Sequence, residues 1–234
     1  MNEPRCALIT GTSRGIGRAL AEHLLGQGFR VAGLSRSDAD INHSYYVHFR
    51  ADVTCAAEVD QCLQSLRKDF GRLDVLINNA GVARMLPLAL TPDETAQRLF
   101  DVNLMATFRM IHRASRLLRK SAAGRIVNLT TVAVPLRLEG ESLYAAAKAG
   151  VETLTRIAAK ELGPWGITCN AVGPSPIRTD LTRGVPEEKL TELIRRQAVP
   201  QWAEMSDVAN VVDFFLRPES RLITGQVIYL GGLG

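Results

Sequence analysis

The sequence predicts a doubly wound α/β domain, and three features carry that expectation. Short apolar runs of strand type alternate with longer amphipathic runs of helix type along the whole chain. The strand-type runs are apolar on both faces, as strands covered by helices on either side must be. The first of them opens into a glycine-rich turn and then a helix. At 234 residues, 46% of them hydrophobic and 22% charged, the chain can bury one large core. With no solenoid repeat and no low-complexity linker, a single domain over residues 1–234 is expected.

In order, strands are expected at 6–10, 30–34, 46–49, 75–78, 125–129, 167–171 and 226–230, and helices at 15–26, 56–70, 93–120, 143–162 and 206–216. The run over 93–120 exceeds an ordinary helix and carries Asn103 near its middle, so an irregularity is expected there. Between the first strand and the first helix stands Thr10-Gly11-Thr12-Ser13-Arg14-Gly15-Ile16-Gly17. Gly11, Gly15 and Gly17 permit a tight turn, let the backbone approach a pyrophosphate and aim helix N-terminal amides at negative charge. The spacing is GxxxGxG rather than the commoner GxGxxG, and such a turn is weak evidence by itself; its place directly after the first strand strengthens it.

Composition excludes several classes. Twenty-eight basic against 24 acidic residues leave only +4, spread along the chain, so no nucleic-acid partner is expected. Cys6, Cys55, Cys62 and Cys169 form no CxxC pair and have no histidine cluster around them. They read as reduced thiols of a cytoplasmic protein without a metal site. No apolar run reaches 18 residues and residues 1–5 are polar, which supports neither a membrane span nor a signal peptide.

Tyr144-Ala145-Ala146-Ala147-Lys148 puts a phenol and an ammonium about one helical turn apart on one face, among strong helix formers. A free phenol titrates at about pH 10, and an ammonium beside it favours the phenolate, so the pair has the makings of proton-transfer machinery. Alone, the pentapeptide reads as an alanine-rich surface helix; the rest of the chain changes that reading.

The glycine pattern at 11–17, Asn78-Asn79-Ala80-Gly81 after the fourth strand, Asn103, and Tyr144-xxx-Lys148 resemble, in order and spacing, the short-chain dehydrogenase/reductase family. The resemblance runs from about residue 5 to residue 232. In length and in its ending, Thr224-Gly225-Gln226 to Gly231-Gly232, the chain is most similar to the 3-oxoacyl-carrier-protein reductases and their relatives. It implies a Rossmann-like sheet of seven strands, a nicotinamide cofactor and reversible carbonyl reduction by hydride transfer. Tyr144 would then give the proton to the carbonyl oxygen, Lys148 would lower its pKa and hold the nicotinamide ribose, and Asn103 would fix a water feeding protons to Lys148. Where the family usually has a serine, thirteen residues before the tyrosine, this chain has Thr131. Threonine offers the same donor and acceptor with a stiffer, bulkier side chain; the other reading is a merely structural β-residue. The Tyr-x3-Lys spacing favours ketone over enoyl reduction.

The cofactor's identity is read at the end of the second strand. A carboxylate there would bind a ribose 2′-hydroxyl and repel a 2′-phosphate, but this chain offers Ser35 and Arg36, with Arg14 able to close on the same phosphate. NADPH is expected, and Asp38 is the feature that opposes it. By resemblance, Asp52 and Val53 would contact the adenine, and Asn79, Ala80 and Gly81 would line its ribose and the pyrophosphate. Pro174, Ile177 and Thr179 belong to the loop that would contact the nicotinamide carboxamide. Ser175 replaces the usual glycine there, so strain is expected if the backbone needs positive φ.

Loops at 82–90, 132–143 and 181–201 would roof the site, mixing Met85, Leu86, Val134, Leu136 and Leu138 with Arg84, Arg137 and Arg183. An apolar trough with a cationic rim suits an acyl chain, free or on a carrier protein. Against a carrier stand Ala122 and Trp165, at positions where similar reductases often have basic residues. A different β-keto or biosynthetic ketone, an alcohol dehydrogenase running the other way, and a nucleotide-sensing protein without chemistry are the alternatives; retention of Tyr144, Lys148 and Asn103 weighs against the last. Apolar residues after Asn103 (Met105, Phe108, Ile111, His112, Leu117) and on the tyrosine helix (Val151, Leu154, Ile157, Ala158) lead to an expected homotetramer, or at least a dimer.

Overall fold

The computed structural model describes residues 3–232, so residues 1, 2, 233 and 234 of the expected domain, and with them part of the polar start, lie outside it. Seven strands, β1 (Cys6–Thr10), β2 (Arg30–Ser35), β3 (Tyr46–Arg50), β4 (Val75–Asn78), β5 (Arg125–Leu129), β6 (Thr168–Gly173) and β7 (Val227–Tyr229), form one parallel sheet in the order β3-β2-β1-β4-β5-β6-β7. The helices are α1 (Gly15–Gly26), α2 (Ala56–Phe70), α3 (Asp93–Phe100), α4 (Ala106–Leu118), α5 (Ala133–Leu136), α6 (Ser142–Leu162), α7 (Glu187–Arg195) and α8 (Met205–Leu216). The expected doubly wound Rossmann-like domain is therefore what the chain forms.

Strand alternation divides the core between two layers. Leu8, Leu76, Ile126 and Cys169 face α2, α4 and α6, where Val59, Leu66, Met110, Ala114 and Ala158 meet them. Ala7, Ile9, Val75, Ile77 and Val127 face α1 and α8, against Leu20, Leu24, Val208, Val212 and Phe215. Burying each of these larger side chains contributes about 1.5–3 kcal/mol, which is why the central strands read as unbroken apolar runs. At the edge, β3 alternates instead: Val47 and Phe49 pack into the core while Tyr46, His48 and Arg50 take the other face. The helix α1 ends where Gly28 adopts φ 82°, its N–H bonding Leu25 O and that of Phe29 bonding Leu24 O, a glycine-capped end.

The long run over 93–120 is broken, as expected, by a π turn over Asp101–Met105 that holds Asn103. Residues 187–195, expected as roof loop, are the helix α7 instead. Pro186 at its N-cap, Glu187 and Glu188 in its first turn, Arg195 in its last, and buried Leu190, Leu193 and Ile194 give it an ordinary amphipathic pattern. The face expected to pair with other copies is divided. Met105, Phe108 and Ile157 are exposed, but Ile111, Leu117, Val151 and Ala158 point into the core. No helix among the described residues is long and apolar enough to cross a membrane, and no group of three or more His, Cys, Asp or Glu among them is placed to hold a metal.

Candidate active site

The strand order reverses between β1 and β4, and beyond the carboxyl ends of these strands lies a cleft of about 2000 Å3. Its floor is the glycine turn. Gly11 has φ 77° and donates from its N–H to Leu34 O at 2.7 Å. A Cβ on Gly17 would collide with Gly11 O, so only glycine lets the helix start this close to the turn. Gly15, at φ 59°, has no protein atom nearer to a Cβ than Thr179 Cγ2, 3.9 Å away, so its open side faces the cleft. The N-cap of α1 is Arg14, which makes no capping bond, and the first turn holds no acidic residue. Amides of the first turn thus lack a side-chain partner from their own helix, which fits a bound pyrophosphate in both hydrogen-bonding capacity and charge.

The floor is tied together by a residue the sequence did not single out. Thr10 Oγ1 accepts the N–H groups of Asn79 (3.0 Å) and Ala80 (2.9 Å), and Asn79 Nδ2 donates back to Thr10 O at 2.9 Å and Gly11 O at 3.3 Å. Gly81 then brings its backbone against the chemistry: a Cβ there would lie 2.8 Å from Asn103 Oδ1 and 3.6 Å from Lys148 Nζ. Gly11, Ser13, Arg14, Gly15, Ile16, Asn79, Ala80, Gly81, Asp52, Val53, Pro174, Ile177 and Thr179 line the cleft, whereas Gly17 lies beneath it.

Asn103 is 0% exposed. Its Nδ2 donates to Val82 O and Leu99 O, each at 2.9 Å, and its Oδ1 accepts from Val82 N at 3.1 Å. This amide braces the chain after β4 against the π turn. Lys148 is likewise buried, donates from Nζ to Leu129 O at 2.7 Å, and is pulled down to about 8 by burial. Tyr144 is buried, and the lack of water pushes its phenol well above the usual range, with Glu141 adding to the rise and a hydrogen bond from Thr131 opposing it. In the protein alone, burial thus raises the phenol.

The two threonines lie just beyond the end of β5, and both border the cleft, but their hydroxyls have different partners. Thr131 lines the cleft beside Tyr144 and accepts from Ala133 N at 3.2 Å. Thr130 is buried and donates to Glu152 Oε1 at 2.8 Å, an oxygen that also takes the Tyr229 hydroxyl at 2.5 Å. Glu152 and Tyr229 drew no notice in the sequence because their partners lie on other strands.

Just beyond β2, Arg36 is exposed into the cleft, and Ser37 and Asp38 line it too. Ser35 turns its hydroxyl to Ser37 O at 2.7 Å. Arg14 also lines the cleft with its side chain largely exposed; its Nη1 meets Asp180 Oδ2 at 3.1 Å, and Arg183 meets the other oxygen at 2.6 Å. Burial alone would raise the Asp52 carboxyl, but bonds from Thr54 together with Arg36 and Arg98 bring it below its ordinary value. Ser175 is buried without positive φ; among described non-glycine residues only Arg137 has one, at 51°. The strain expected at Ser175 is absent because the loop turns without it. Of the expected roof residues, Arg84, Met85, Leu136, Arg137 and Leu138 line the cleft, joined by Leu190, Leu193 and Arg196 of α7 and its end, whereas Leu86, Val134 and Arg183 do not.

The family described as enoyl-(acyl carrier protein) reductase matches residues 11–232. A 3-oxoacyl-(acyl-carrier-protein) reductase FabG of Escherichia coli K12 is 33% identical over 236 residues, covering 98% of this chain and 97% of its own length. That of Staphylococcus aureus N315 is 33% identical over 244 residues, covering 99% and 98%. The ligand-free aldohexose dehydrogenase of Thermoplasma acidophilum superposes with a TM-score of 0.90 at 29% identity, covering 99% of this chain and 94% of its own.

Proposed function

Because this chain belongs to the short-chain dehydrogenase/reductase family of oxidoreductases, we propose that it reduces a 3-oxoacyl thioester or a closely related β-keto compound with NADPH. The observation that carries the reading is the convergence of Thr131, Tyr144 and Lys148 on one wall of a cleft floored by the glycine turn. When bound, a nicotinamide cofactor supplies the hydride. The first-turn amides of α1 would hold its pyrophosphate, Ser35 and Arg36 its 2′ end, Asp52 and Val53 its adenine, and Pro174, Ile177 and Thr179 its carboxamide. Thr131 orients the substrate carbonyl and offers a hydrogen bond to the oxygen on which charge grows. Tyr144, kept neutral by burial, supplies the proton to that oxygen. Lys148 would hold the ribose hydroxyls, and Asn103 would fix a water feeding protons to Lys148.

The FabG relatives support a 3-oxoacyl substrate, and the cleft-lining Met85, Leu136, Leu138, Leu190 and Leu193 are apolar as an acyl chain requires. A carrier-protein partner, a cytoplasmic setting and a homotetramer belong to the same reading; exposed Met105, Phe108 and Ile157 support the tetramer. One observation favours a second substrate class. The half-buried carboxyl of Glu141, raised by burial, lines the cleft near Tyr144 and would accept from a hydroxyl-bearing substrate such as a sugar. NADPH oxidation with acetoacetyl thioester, set beside NADP+ reduction with aldohexoses, separates the two. Turnover of the thioester alone is expected, and turnover of the sugar alone overturns the proposal.

A further inference from the structure

We propose that the polar face of β3, with His48 at its centre, positions the loop that distinguishes a phosphorylated from an unphosphorylated adenosine ribose. The inference rests on the NADPH reading above. Tyr46, His48 and Arg50 share one face of β3 and lie in register with Val31, Gly33 and Ser35 of β2. His48 Nε2 is 3.0 Å from Ser37 O and 3.3 Å from Ser35 Oγ, and Arg50 Nε donates to Arg36 O at 3.1 Å. Two successive carbonyls of the cleft-lining loop are thus held from β3. A carbonyl only accepts, so Nε2 carries its proton toward Ser37 O, and in the neutral ring Nδ1 accepts from Tyr46 OH, 2.9 Å away. Tyr46 OH is in turn 3.2 Å from Thr12 Oγ1, which sits fully buried in the glycine turn. A hydrogen-bonded chain, Thr12 to Tyr46 to His48 to Ser37, therefore joins the pyrophosphate turn to the 2′ loop beneath the floor.

The fold makes room for that chain. A Cβ on Gly33 would collide with both Tyr46 OH and Thr12 Oγ1. The side chain of Arg36 is exposed. Its aim is set by the backbone under it, and a loop already held in place loses less entropy when the guanidinium closes on a phosphate. An unphosphorylated ribose draws no such benefit, so the β3 face acts on selectivity.

Titration of the purified full-length protein with NADPH and with NADH, followed by nicotinamide fluorescence, tests this. The wild type is expected to prefer NADPH. His48→Leu should weaken NADPH binding on the order of tenfold and NADH binding less than about twofold. Tyr46→Phe, which removes only the hydroxyl, should shift NADPH alone by roughly threefold. His48→Gln keeps a donor for Ser37 O and should recover most of the preference, and His43→Ala, on the exposed loop before β3, should leave both affinities unchanged. A wild-type preference that the His48 and Tyr46 variants leave intact, or variants that weaken both cofactors equally, overturn the positioning role. Tyr46→Phe decides between these outcomes even if His48→Leu fails to fold. A wild type that binds NADH as tightly as NADPH overturns the cofactor reading, and this inference with it.

Discussion

The floor of the cleft, from Gly11 to Gly81, takes its shape from backbone hydrogen bonds and from close approaches that only glycine allows, whereas its roof is an assembly of side chains from loops, α5 and α7. Gly11, Gly17 and Gly81 each meet a neighbour that leaves no room for a Cβ, such as Gly17 against Gly11 O. The roof mixes Arg84, Arg137 and Arg196 with Glu139 and Glu141 around apolar residues, and such a mixture admits several substrates. The difference teaches where the proposed chemistry and choice would reside: on the proposed reading, the wall and floor serve the reaction and the roof selects what undergoes it.

Breaking the chemistry at the wall should have the largest effect. Tyr144→Phe is expected to lower turnover by about 10³-fold or more, since the proton donor is gone. Thr131→Ala should cost about 10²-fold, near 3 kcal/mol, while Thr131→Ser should retain most activity. Thr130→Ala, one residue away with its hydroxyl turned to Glu152, should change rate little but destabilise the fold by about 1 kcal/mol through the lost hydrogen bond, the Glu152 oxygen keeping the Tyr229 hydroxyl. Steady-state rates set beside thermal melts check all four. If Thr130→Ala stops turnover while Thr131→Ala does not, wall and packed side have been exchanged.

Lys148 links the site to stability. Its pKa falls from 10.5 to about 8, so the folded protein carries a buried charge below pH 8 at a cost of about 3 kcal/mol, a cost that shrinks as pH rises through 8 and is nearly gone by 10.5, where the folded lysine is neutral and the unfolded one half neutral. Lys148→Met removes that cost but leaves Leu129 O without its donor, a loss of about 1–2 kcal/mol. The variant should therefore be more stable than wild type at pH 7 and less stable near pH 10.5, by about 1–2 kcal/mol each way. Denaturant melts at the two pH values decide it; a difference that does not change sign would show that burial does not govern this lysine.

At the 2′ end of the floor, Arg36→Asp should raise the KM for NADPH by about 10- to 100-fold and spare or improve NADH. Equal losses with both cofactors would move the 2′ contact away from Arg36. The smallest effect is expected in the nicotinamide loop. Ser175→Gly should destabilise by no more than about 1 kcal/mol and leave KM unchanged, because Ser175 has no positive φ for glycine to relieve. A rise in stability would mean the serine is strained after all.

The same division explains what could be read in advance. Strands β1, β4 and β5, helices α1 and α2, and the glycine turn are legible to the residue, because local pattern and burial on both faces agree there. The break at Asn103 is legible because the run is too long for one helix. Thr10, His48, Glu152 and Tyr229 are not, since their roles depend on partners brought together only by the strand order. The helix α7 is hard to see although its signals are present, because apolar residues at 190, 193 and 194 suit a pocket roof as well as the buried face of a helix. The ion pair of Arg14 with Asp180 also follows from tertiary placement, since the two lie 166 residues apart in the chain.

The π turn over Asp101–Met105 has a bearing on how this chain can be altered at all. A π turn absorbs one extra residue within an α-helix, so removing one residue from Asp101–Met105 would restore a regular helix and leave the buried face of α4, with Met110, Ala114 and Leu118, close to where it lies now. What such a deletion would lose is the inward placement of the Asn103 amide between Leu99 O and Val82. The extra residue thus serves the amide rather than the core, and shortening the turn should change the cleft while the helix behind it keeps its packing.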